Sequence, residues 1–195
     1  MQRRDVLRLL TSAAAVSAMP AELLQALQEA RAEVGPGVGL RTLNAHQNAT
    51  LTTLTERIIP ETSTPGARST RVNEFIDLLL TEWYDKPDVD RFLQGIAECD
   101  AASQRRFQKT FLQCSPDQQV ALMKDWDSQA MDYVGMAKQA QQQKATPPLP
   151  TFFYTVKRLT LVGYYTSEAG FTKELRATII PLKHAGCAPL AEARS

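Results

Sequence analysis

Read for its apolar spacing, the chain from Asn44 onward is a succession of helices divided by turn chemistry. Asn44 stands three residues before Gln47, a helix N-cap with a reciprocal partner, and Leu51, Leu54 and Ile58 follow at near-helical spacing. Pro60 ends that run, because the residue before a proline is pushed out of the helical region. The stretch from Glu61 through Thr62, Ser63, Thr64, Pro65 and Gly66 to Ala67 is a turn. Val72, Phe75, Ile76, Leu79, Leu80 and Trp83 then fall at i, i+3, i+4, i+7, i+8 and i+11, the clearest amphipathic helix in the chain. Pro87 starts another, with Val89, Phe92, Leu93 and Ile96 inward, and Phe107 with Phe111 predicts a further short one. Ser115, Pro116, Asp117 and Gln118 form the start of a long helix carrying Val120, Met123 and Trp126. That helix decays over Lys138 to Lys144 into a solvated end, and Pro147, Pro148, Leu149 and Pro150 make a stiff connector. Phe152, Phe153, Val156, Leu159 and Thr160 open a last helix, interrupted near Gly163, and periodicity is weak from Phe171 to Ser195. No segment alternates with period two, so the fold expected is an all-α, single-domain helical bundle without internal repeats.

Ahead of the bundle stands a segment of another kind. Met1, Gln2, Arg3, Arg4 and Arg8 make a basic head, and Leu9 to Ala18 a short apolar stretch rich in Ala, Ser and Thr, too short to cross a bilayer stably. Arg3 and Arg4, followed by Val6 and Leu7, resemble the twin-arginine export signal of bacteria. Val16, Ser17 and Ala18 allow cleavage before Met19, and retention of the segment stays open. The chain thus divides into a signal segment (1–18), a linker or N-terminal helix (19–43) with Gly35, Gly37 and Gly39, the bundle (44–170) and a C-terminal tail (171–195).

Charge and candidate chemistry narrow the function classes. With 22 basic and 21 acidic side chains the net charge is +1, which leaves no footprint for neutralising many phosphates and excludes nucleic acid as the natural partner. Cys99, Cys114 and Cys187 include no C-x-x-C pair, and His46 and His184 have no carboxylates at ligand spacing, so no metal site is expected. Neither G-x-G-x-x-G nor a phosphate-binding Walker loop nor a G-x-S-x-G elbow occurs, and no cofactor-binding or catalytic residue is assigned to this chain. Glu56, Glu61, Glu74 and Asp77 are what the polar faces and ends of helices carry. The aromatic run Phe152, Phe153 and Tyr154, and the segment Gly163-Tyr164-Tyr165-Thr166-Ser167-Glu168-Ala169-Gly170, either complete the core or face a partner.

Two stretches carry a family resemblance. The first runs from Leu54 to Ala67 through Ile58-Ile59-Pro60 and Thr64-Pro65-Gly66-Ala67, and continues into Val72-Asn73-Glu74-Phe75-Ile76-Asp77. The second joins Phe152-Phe153 and Leu159-Thr160-Leu161 to the segment from Gly163 to Gly170. Together they resemble the gluconate 2-dehydrogenase subunit 3 family, over roughly residues 43–170. The resemblance implies a non-catalytic small subunit that stabilises a large FAD-dependent flavoprotein of the glucose–methanol–choline type, which oxidises a sugar, glycoside or sugar acid. It also implies FAD in that partner, a cytochrome subunit or other carrier as electron acceptor, and export by the twin-arginine translocon to the periplasm or the periplasmic face of the inner membrane. For the partner interface the residues expected are Phe152, Phe153, Tyr164 and Tyr165, with Thr64, Pro65 and Gly66 as a second patch. Cys187 is the candidate for a bond to the partner after export. Two other classes fit a helical body: a stand-alone sugar-acting enzyme with Tyr and carboxylate groups in a pocket, and a free envelope binding or scaffold protein.

Overall fold

The computed structural model describes residues 39–177, among which there is no strand. Helix α1 spans Ala45–Ile58 and begins with the reciprocal capping box of Asn44 and Gln47, as the spacing predicts. It closes at Ile59, whose N–H bonds to the Thr55 carbonyl one residue before Pro60. Helix α2, Val72–Glu82, is nearly all buried, which fits its run of apolar residues. Its one deeply buried carboxylate, Asp77, accepts hydrogen bonds from the backbone N–H groups of Arg41, Thr42 and Leu43 at 2.8, 3.1 and 2.7 Å. A residue typical of a polar helix face thereby fastens the entering chain to the middle of the core, satisfying donors that would otherwise be orphaned.

Helix α3, Lys86–Phe107, has Pro87 in its first turn. Phe107 belongs to this helix, not to a further one, and Phe111 opens only a short 3-10 turn, Phe111–Gln113. The stripe is carried past Ile96 by small residues, Cys99 and Ser103, which a search for large apolar side chains passes over. Helix α4, Pro116–Gln142, starts on the Ser115 and Gln118 capping box and is mostly exposed toward its C-terminal end. Helix α5, Phe152–Tyr165, is capped by the Thr151 hydroxyl, which accepts from the Tyr154 N–H at 3.3 Å.

The interruption expected near Gly163 does not occur: α5 continues through it to Tyr165. The glycine is there for proximity, since a Cβ at Gly163 would lie 2.8 Å from the Phe75 ring and 3.3 Å from Val72 Cγ1 on α2. A π-helical turn, Gly170–Glu174, follows in what the periodicity leaves as a tail. Helix α5 packs against all four other helices and so forms the axis of the bundle. Leu51 and Leu54 of α1, Phe75, Ile76 and Leu79 of α2, Phe92 and Ile96 of α3, Phe111, and Val156 of α5 make one continuous core around it.

Candidate functional site

The two ends of α5 differ in how their polar groups are used. At the C-terminal end the two stretches that are far apart in the chain meet. The buried Tyr164 hydroxyl donates to the Pro65 carbonyl at 2.8 Å, across 99 residues. Ser167 donates to the Tyr164 carbonyl at 2.5 Å and accepts from the Gly170 N–H at 3.0 Å. Thr64 donates to Glu174 at 2.7 Å. The Glu56 carboxylate, on the last turns of α1, accepts from the N–H groups of Glu61 at 3.0 Å and Arg68 at 2.8 Å, holding both sides of the turn. Gly66 leaves room for this knot, because a Cβ there would stand 2.5 Å from the Glu61 nitrogen and 2.8 Å from the Glu56 oxygens.

At the N-terminal end a groove of about 660 Å³ opens between α3, α4 and the proline-rich connector. Phe152 forms part of its floor, edge-on to Phe92 with ring centroids 5.2 Å apart and seated over Gly95, where a Cβ would meet the ring at 2.2 Å. Pro147, Pro148, Leu149 and Pro150 form one wall, with Leu149 68% exposed. Tyr84 and Tyr133 enter from α2's C-terminal end and from α4, and Tyr133 packs on Tyr154 of α5 at 4.8 Å between centroids. Arg158, one turn beyond Tyr154 and Thr155, is partly buried beside these three rings. Burial lowers its guanidinium from the ordinary value, against the raising influence of Tyr154, Tyr84 and Tyr133. Burial also pushes the Tyr84 and Tyr133 hydroxyls up, so both remain protonated donors near neutral pH.

The remaining polar chemistry is structural. His46 Nε2 lies 2.5 Å from Asp100, a carboxylate that also accepts from the Phe111 N–H at 2.8 Å, and neither a hydroxyl nor a thiol is bonded to this imidazole among the described residues. Glu74 pairs with Arg71. Cys99 and Cys114 are buried free thiols, and burial pushes the Cys99 thiol far up, away from the nucleophilic thiolate. Among the described residues no group of three His, Cys, Asp or Glu side chains is placed to hold a metal ion, and no helix is long and apolar enough to cross a membrane.

The residues expected at a partner interface are therefore split. Phe153 and Tyr164 are 6% and 1% exposed and serve the chain's own core, Phe153 beside Trp126 and Tyr164 in the knot, so they are not available as anchors on this chain's surface. Gly66 is buried in the turn, while Thr64 and Pro65 are partly buried and bonded within it. Tyr165 stays exposed against Tyr164, with ring centroids 5.2 Å apart, and Phe152 is partly exposed in the groove. Arg3, Arg4 and Cys187 lie outside the described residues. The sequence by itself does not single out Arg158, Tyr84 or Tyr133, and it gives Lys138 and Lys144 only as the bounds of a solvated helix end. The signal for Arg158 was present: it is one of two adjacent cations, with Lys157, in an otherwise uncharged helix, four residues after Tyr154.

Comparison with known proteins agrees with the resemblance read from the two stretches. The family model described as gluconate 2-dehydrogenase subunit 3 matches residues 45–181, well over half of the chain. No curated protein and no solved structure matches it.

Proposed function

Because the chain belongs to the gluconate 2-dehydrogenase subunit 3 family, a family described as a subunit of a dehydrogenase, we propose that it is the non-catalytic small subunit of an exported flavin-dependent dehydrogenase. The partner would be a large flavoprotein of the glucose–methanol–choline type holding FAD and acting on a sugar, glycoside or sugar acid. The observation that carries this reading is the family match over nearly the whole described body. It is supported by the fate of the polar groups: Glu56, Asp77, Ser167 and Tyr164 are used in holding the chain's own backbone, where substrate chemistry would need them free.

In this reading the bundle binds the folded flavoprotein before export, and Arg3 and Arg4 direct the pair to the twin-arginine translocon, which carries folded cargo. The complex then works in the periplasm or at the outer face of the inner membrane. The test is to co-express the flavoprotein with a chain carrying Arg3→Lys and Arg4→Lys. Active flavoprotein should then accumulate inside the cell, and continued export at the wild-type level would remove the escort role.

A further inference from the structure

The groove beside the proline-rich connector is bordered by cations and hydrogen-bond donors for which the described residues supply no counterpart. Lys138 and Lys144 line it, and Arg158, outside the lining itself, lies beside Tyr84 and Tyr133, which do line it; none of the three cations has an ion pair or a side-chain hydrogen bond among the described residues. Asp88, the acidic residue of the lining, is taken by Arg91 at 3.0 Å. The hydroxyls of Tyr84, Tyr133 and Tyr154 likewise have no partner among the described residues. Thr50 alone among the described residues has a sealed, unsatisfied side-chain oxygen, so these three hydroxyls and the Arg158 nitrogens keep an outlet. A guanidinium fork with tyrosine donors is the geometry that binds a carboxylate, and partial burial strengthens such a contact relative to open water. Around it the walls are apolar, formed by Phe92, Phe152, Pro148 and Leu149.

Resting on the subunit reading above, we infer that this groove is a docking site for the partner flavoprotein, taking an acidic side chain flanked by apolar residues from its surface. The carboxylate sits on Arg158 and the tyrosine hydroxyls, and neighbouring apolar side chains lie against Phe152 and the prolines. Charge complementarity commits the occupant: three cations left uncompensated by the described residues call for a net negative segment. Tyrosine and arginine in a desolvated pocket ringed by apolar contacts are also what binding hot spots are made of. Lys144 supports this, for it ends α4 in the left-handed conformation, φ 54°, that a glycine would adopt more easily, and so brings a cation to the rim at a conformational cost.

The test measures binding of the purified flavoprotein to the full chain by calorimetry. Arg158→Met should weaken binding about tenfold or more, as expected on truncating one member of a buried charged pair. Arg158→Lys should recover part of the loss, having the charge without the fork. Should Arg158→Met not fold, as judged by helical circular dichroism, the exposed pair Lys138→Glu with Lys144→Glu serves instead, with slower association and weaker binding that depends less on salt. Wild-type binding that survives all of these changes overturns the groove while leaving the subunit reading intact. A wild-type chain that binds no flavoprotein sinks that reading and this occupant with it. Benzoate taken up in the groove without competing with the flavoprotein, or self-association abolished by Lys138→Glu, reassigns it to a small ligand or a second copy and likewise overturns the proposal.

Discussion

The two ends of α5 are built from similar residue types, tyrosines with proline-containing loops beside them, and they do opposite things. At the C-terminal end the Tyr164 hydroxyl, the Ser167 hydroxyl and the Glu56 carboxylate each find backbone groups of this chain, and glycines at 66 and 163 bring the elements into close contact. At the N-terminal end the Tyr84 and Tyr133 hydroxyls and two ammonium groups border a groove, with Tyr154 and the Arg158 guanidinium beside them, and none of these finds such a partner among the described residues. Polar groups that are satisfied internally hold the fold, since leaving them unpaired would cost more than their hydrogen bonds contribute. Polar groups held in place without a partner point to something outside the chain. A motif that stands out in a sequence can belong to the first kind, as the Gly163–Gly170 segment does.

The comparison is broken most forcefully at Gly66. Gly66→Ala sets a methyl group against the Glu61 backbone and the Glu56 carboxylate, and should lower stability by about 1–3 kcal/mol in chemical denaturation. Any fraction that remains folded should bind the flavoprotein with unchanged affinity, and weakened binding would show that the knot is itself part of the interface. Paired hydroxyl deletions sharpen the contrast. Tyr164→Phe removes the bond to the Pro65 carbonyl and should cost about 1 kcal/mol, whereas Tyr133→Phe removes a hydroxyl without a partner among the described residues and should leave stability within about 0.5 kcal/mol while weakening flavoprotein binding. Equal stability losses for the two would end the distinction. The smallest effect is expected at Lys144, where Lys144→Gly relieves the left-handed strain and should stabilise the chain by about 0.5 kcal/mol while reducing affinity. Opposite signs in thermal melting and calorimetry are the outcome that identifies a residue kept for binding.

Much of the helical organisation is legible from residue spacing. The Asn44 and Ser115 caps, the stop at Pro60, the start at Pro87 and the amphipathic stripe of α2 all act through neighbours within a turn or two, which is the range that spacing reports. The errors come where a contact distant in sequence decides the local conformation. Gly163 reads as a helix interruption until Phe75 is seen against it, and α3 reads as ending early because Cys99 and Ser103 bury a stripe too small to notice. Of the aromatic residues expected at a partner interface, Phe152 and Tyr165 reach the surface, while Phe153 and Tyr164 are taken inward by Trp126 and Pro65, contacts that spacing does not report.

From residue order alone come the all-α class, the helix starts and stops, and the two stretches that relate the chain to its family, because capping, proline geometry and apolar period are properties of adjacent residues. Only the folded arrangement decides which tyrosine is a strut and which is a free donor. That depends on whether a carbonyl or carboxylate from elsewhere in the chain arrives within hydrogen-bonding distance, as Pro65 reaches Tyr164 across 99 residues and nothing described reaches Arg158.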